Sequence, residues 1–149
     1  MFKIQKFFEY LKKRSLPRCR LAVPEGGSRY SRNGLIEAMR LGGCTSCLIL
    51  SDDPKMGAVT DFRPIHSKDH LAELMRLTQR YSELANANSI ALSWDGQNRK
   101  SRYDRNGNVH KLYSGLQQIF KGRYIQEIFY PGGLDWIGLD IDNNVLIIK

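Results

Sequence analysis

Residues 44–65 run Cys44-Thr-Ser-Cys-Leu-Ile-Leu50, Ser51, Asp52-Asp53-Pro54-Lys55-Met56-Gly57, and then Ala58 to Ile65. The first run is apolar enough to be a buried strand. Asp-Asp-Pro-Lys-Met-Gly is turn chemistry, and Ala58 to Ile65 alternates well enough to return as the second strand of a hairpin. Ser67 then caps a helix whose apolar stripe is Leu71, Leu74, Met75, Thr78, Tyr81, Leu84 and Ala85, ended by Asn86 or Asn88. A hairpin that feeds a helix sets the class as α+β.

Toward the C-terminus, Ile90 to Trp94 reads as a strand, and residues 95–108 as a basic polar loop. Asn108 caps a helix with Val109, Leu112, Tyr113, Leu116, Ile119 and Phe120 on one side. Tyr124 to Tyr130, Leu134 to Leu139 and Val145 to Ile148 read as a three-stranded meander. Its last turn is Asn143-Asn144, because asparagine tolerates positive φ.

Toward the N-terminus, residues 1–16 read as a basic amphipathic helix with Ile4, Phe7, Phe8 and Leu11 on one face, bounded by Pro17. Arg20 to Val23 reads as a short strand. Ser31 or Asn33 then starts a helix to about Leu41, stopped by Gly42-Gly43. The expectation is one α+β domain over 1–149, with a mostly antiparallel or mixed sheet and three to four helices packed on it.

The chain has 149 residues, 42% hydrophobic and 26% charged, which excludes a disordered chain and a collagen-like one. No apolar run approaches the roughly 18 residues of a membrane span. Three cysteines, Cys19, Cys44 and Cys47, do not suit a disulfide framework, and the N-terminus lacks a signal-peptide core. A cytoplasmic protein is therefore expected.

The formal net charge is +8. Residues 1–20 hold seven basic residues against Glu9, and residues 97–124 hold seven against Asp104. The last 25 residues are acidic. In the central loop Arg99, Lys100, Arg102 and Arg105 can neutralise phosphates, and Tyr103 offers a stacking face. Arg29 and Arg32 repeat this chemistry around Tyr30, just before the expected helix start, where a phosphate is favoured. The leading expectation is a nucleic-acid-binding protein that needs no cofactor. An inhibitor or immunity-type module that binds an acidic protein partner is an alternative.

Three chemical sites compete with that reading. Asp135, Asp140 and Asp142 are candidate Mg²⁺ ligands of a nuclease, because residues two apart in a strand share a face. Cys44, Cys47, His66 and His70 contain the donor types of a Cys2His2 zinc site, although no second CxxC is present. Cys44, after Gly42-Gly43, is a candidate nucleophile with His66, His70 or His110 as base and an Asp or Asn to orient it. Trp94 and Trp136 are read as core residues.

Overall fold

The hairpin at residues 44–65 forms, with Ser46–Asp52 (β5) antiparallel to Lys55–Asp61 (β6). It sits at the centre of one of two sheets. The computed structural model describes residues 2–39, 41, 43–95, 107–130 and 134–149. The other elements are Lys3–Lys6 (β1), Phe7–Lys13 (α1), Arg20–Ala22 (β2), Gly27–Ser31 (β3) and Leu35–Met39 (β4). After the hairpin come Ser67–Arg80 (α2), Ser82–Ala85 (α3), Ser89–Asp95 (β7), Asn108–Ile119 (α4), Gln126–Tyr130 (β8), Trp136–Asp140 (β9) and Val145–Ile148 (β10).

The first sheet has the order β1-β10-β9-β4-β2 and the second β3-β6-β5-β7-β8, and both are mixed. The class is α+β, but the expected single sheet is two. They stack face to face through Ile36, Ala38, Leu139 and Leu146 on one side and Leu48, Leu50, Val59 and Ala91 on the other. Gly57 permits the approach, since a Cβ there would lie 2.8 Å from the Ile141 side chain. The helices α2, α3 and α4 cover the outer face of the second sheet through Leu74, Leu77, Leu84, Leu112 and Leu116. The short α1 covers the outer face of the first, through Phe7 and Tyr10 against Trp136, Val145 and Ile147. The layers thus run helices, sheet, sheet, helix.

Several expectations change. The N-terminal helix begins only at Phe7, because Lys3–Lys6 pairs parallel to β10. Its expected face also splits: Tyr10 is buried, while Phe8 and Leu11 are exposed. The expected helix from Ser31 or Asn33 to Leu41 is strand β4, held between β2 and β9. Its Leu-Ile-Glu-Ala-Met sequence carries helix formers, and tertiary pairing overrides that preference. The C-terminal meander is broken, since β8 pairs parallel to β7 in the second sheet while β9 and β10 form a hairpin in the first. Asn144 takes φ 57° in that hairpin's turn. Tyr81 divides the expected long helix into α2 and α3. The Ser67 cap also fails: His66 is the N-cap, with no side-chain capping bond, and Ser67 is buried in the first turn. The two tryptophans are buried, as expected. Among the described residues no helix is long and apolar enough to cross a membrane.

Candidate functional site

Because β5 is antiparallel to both β6 and β7, and β7 is parallel to β8, the start of β5 meets the ends of β6, β7 and β8 at one edge of the second sheet. Pairing extends past β5 to Thr45 opposite Phe62. Between that bridge and the Leu48–Val59 pair, Ser46 falls opposite Asp61, and Ser46 is also registered with Ser93. Alternation along the strands points Ser46, Asp61 and Ser93 the same way as Leu48, Val59 and Ala91, into the space between the sheets. Cys44 packs on the same cluster.

This end of the inter-sheet space is polar, and its polar groups are not all paired. Ser46 and Asp61 are 0% and 3% exposed, and Ser46 Oγ and Asp61 Oδ1 lack a hydrogen-bond partner. Such buried orphans are uncommon in folded proteins. Burial pushes the Asp61 carboxyl up to about 6, against the lowering influence of the Cys44 thiol beside it. Burial, together with the Asp61 and Glu25 charges, pushes that thiol up to about 11. The resting pair at neutral pH is therefore a protonated thiol next to a largely ionised carboxylate. An open cleft of about 550 Å³ lies alongside, lined by Glu25, Gly26, Phe62, Arg63, His66 and Asp69. Gly26 donates its backbone N–H to the Asp61 carbonyl at 2.6 Å. Arg63 Nε is 2.7 Å from Glu25 Oε1, and His66 Nδ1 lies 3.6 Å from Asp69 Oδ2.

The other histidines are placed differently. His70 lies on the helix-covered side, 0% exposed, with Nε2 against Thr60 Oγ1 and its ring stacked on Phe62 at 4.6 Å. Burial drives its pKa down to about 3, so it stays neutral. Cys47 shares that side, fully buried, and burial pushes its thiol up to about 12. The sheet therefore separates Cys47 and His70 from Cys44, and no group of three metal-binding side chains forms among the described residues. His110 lies in the first turn of α4 with Nε2 3.4 Å from Ser114 Oγ. Of the expected catalytic partners, the structure brings His66 to the cleft. It adds Asp61, which sequence reasoning missed. The available signal was a charged residue at an inward position of a strand.

The candidate nuclease aspartates do not converge. Asp135 precedes β9 and Asp140 is its last residue, about 17 Å apart at strand rise. Asp140 is buried and accepts hydrogen bonds from Tyr10 Oη at 2.6 Å and from Asn143 N and Nδ2 at 3.2 and 2.9 Å. Asp142 accepts from Gly34 N at 3.1 Å.

Of the expected nucleic-acid contacts, Arg99, Lys100, Arg102, Tyr103 and Arg105 lie outside the described residues. The described residues on either side of them are Asp95, the last of β7, and Gly107, which caps α4. Arg29 and Arg32 do not precede a helix. Arg29 is on edge strand β3, donating to the Ser28 carbonyl, and Arg32 pairs with Glu83 at 2.9 Å. Tyr30 stacks obliquely on Tyr81 at 4.8 Å, with Arg80 over Tyr81.

Compared with known families and curated proteins, the chain matches no family model and no curated sequence.

Proposed function

We propose that the edge of the second sheet is an acyl-transfer site, with the Cys44 thiol as nucleophile and Asp61 as the group that takes its proton. The observation that carries this reading is the Asp61 carboxyl. It is buried, raised to about 6 and partly unpartnered, beside a half-buried thiol that feels the charges of Glu25 and Arg63, two residues of the cleft wall. A base poised near neutrality next to a nucleophile is the arrangement covalent catalysis needs. A thiol at about 11 is a poor nucleophile alone, so the proton must leave as the bond forms.

The sulfur attacks a carbonyl carbon, the S–H proton passes to Asp61, and the carbonyl π electrons move to oxygen. Collapse re-forms the carbonyl, and the leaving group departs with the proton from Asp61. Water then cleaves the thioester. Arg63 and His66 supply positive or donor groups on the cleft wall for the oxyanion.

The test uses 4-nitrophenyl acetate on the full chain, with the adduct located by mass spectrometry. Acetylation is expected on Cys44, with a rate that rises through about pH 6 and then levels, as Asp61 ionises. In Asp61→Asn the rate should instead climb steadily with pH, following the thiolate. A wild-type profile that climbs in the same way, or a Cys44 rate unaffected by Asp61→Asn, would sink the proposal.

A second reading is nucleic-acid binding through Arg99, Lys100, Arg102, Tyr103 and Arg105. The concentration of seven basic residues against one acid in residues 97–124 favours it. Fluorescence anisotropy with single-stranded and duplex oligonucleotides should show binding that weakens steeply with salt. Arg99, Arg102 and Arg105 changed together to Ala should weaken it further. Absence of binding at low salt removes this reading.

A further inference from the structure

The opposite outer layer carries charge and hydrocarbon together. Phe7 turns its ring edge to Trp136 at 5.4 Å, and Tyr10 is buried with its hydroxyl on Asp140. These two contacts fix the rotation of α1. Phe8 and Leu11, three apart, are thereby left on its outer side, 72% and 42% exposed. Met39 is a third such group. It follows Leu35 and Glu37 on the outward face of β4, 53% exposed, beside Phe7 and Leu16 at the mouth of the same shallow cavity. The same N-terminal segment carries Lys3, Lys6, Lys12, Lys13, Arg14 and Arg18, all exposed, against the single acid Glu9. None of these six forms an ion pair among the described residues. Arg20, which lines that cavity, is paired with Glu37, and elsewhere in the fold Arg32, Arg63 and Arg76 each face a carboxylate.

We infer that this face docks on an anionic lipid surface, with Phe8 and Leu11 entering the boundary between headgroups and acyl chains and the lysines reaching lipid phosphates and carboxylates. Charge complementarity and the interleaved hydrocarbon select that occupant. A second copy of the chain would bring the same positive charge to the contact. A nucleic-acid backbone would satisfy the cations and leave Leu11 and Met39 in water. A bilayer interface accepts both kinds of group, and lysine stems can lie along apolar side chains while their ammonium heads stay hydrated. Attraction of clustered Lys and Arg to acidic lipids falls off within a Debye length, so the docking depends on salt.

The test is co-sedimentation of the full chain with vesicles of phosphatidylcholine alone and of phosphatidylcholine mixed with phosphatidylserine. Binding is expected only to the mixed vesicles and is lost in high salt. Phe8→Ser with Leu11→Ser should weaken partitioning about tenfold or more, since both side chains are exposed in the free protein. Circular dichroism of this variant should match the wild type. Cys44→Ala should bind as the wild type does, which separates this inference from the acyl-transfer reading. No sedimentation with phosphatidylserine at low salt overturns the assignment. So does binding that the Phe8 and Leu11 changes leave untouched, or capture by an oligonucleotide without any by vesicles.

Discussion

Asp61 and Asp140 are both aspartates at the ends of strands, 3% and 0% exposed, yet their surroundings are opposite. Asp140 receives the Tyr10 hydroxyl and two donors from Asn143, which ties α1 to the β9–β10 hairpin. Asp61 has an oxygen with no donor, and burial holds its pKa up. Burial alone therefore does not distinguish a structural carboxylate from a functional one; the donors that meet it do. A satisfied acid stabilises its fold, whereas an unsatisfied one persists at a cost in stability and is a candidate for chemistry.

Asp140→Ala should have the largest effect. It strands the buried Tyr10 hydroxyl and unties Asn143, and a loss of about 3 kcal/mol is expected in urea denaturation. Asp61→Asn should move stability the other way at pH 7. A carboxyl whose folded pKa is raised favours folding when protonated, so its support is present below the unfolded value near 4 and lost as pH rises through about 6. Removing the charge then recovers about 2–3 kcal/mol at neutral pH. The difference in stability between Asp61→Asn and wild type should be small and flat below about pH 4, grow to about pH 6 and stay constant above. His70 titrates in the opposite sense: with a folded pKa near 3, its contribution is lost as pH falls below about 6.5. Because His70 is common to both proteins, subtracting the two curves isolates Asp61. An Asp61→Asn variant that loses stability as Asp140→Ala does would break the comparison.

Tyr10→Phe sharpens the same contrast at a smaller scale. It removes the donor at 2.6 Å but leaves Asn143 in place, so about 1–2 kcal/mol is expected. Burial, reinforced by the Asp140 carboxylate, holds the Tyr10 phenol well above its ordinary value, so ultraviolet titration should find it un-ionised where exposed tyrosines titrate.

Much of the fold was legible because it is local. The hairpin at 44–65, the helices from Ser67 and Asn108, and the turn at Asn143-Asn144 each depend on neighbouring residues, and each appears. The partition into two sheets was not, because parallel pairing of β1 with β10 and of β7 with β8 joins segments with no short-range signature. Leu-Ile-Glu-Ala-Met at β4 shows the same limit, since its neighbours in the sheet decide its conformation. At the candidate site, Cys44 and His66 were visible as residue types. Asp61 was hidden inside a strand, and only the register that sets it opposite Ser46 reveals a polar pocket. Asp140 and Asp142 misled for a related reason: the spacing that suits a metal also suits the start of a hairpin turn.

Arg63 gives the smallest effect and the finest test. Its pairing with Glu25 joins two side chains that are 62% and 57% exposed, and such pairs contribute little because water and salt screen them. Arg63→Ala should therefore leave stability nearly unchanged. The same guanidinium lines the cleft beside Cys44, and its charge favours the thiolate while Asp61 and Glu25 oppose it. Its removal should thus slow Cys44 acetylation by 4-nitrophenyl acetate severalfold at neutral pH while denaturation curves stay nearly superimposed. That separation of rate from stability is what a cleft residue would show and a surface ion pair would not. Equal acetylation rates in Arg63→Ala and wild type would restrict the site to Cys44 and Asp61, with the cleft wall taking no part.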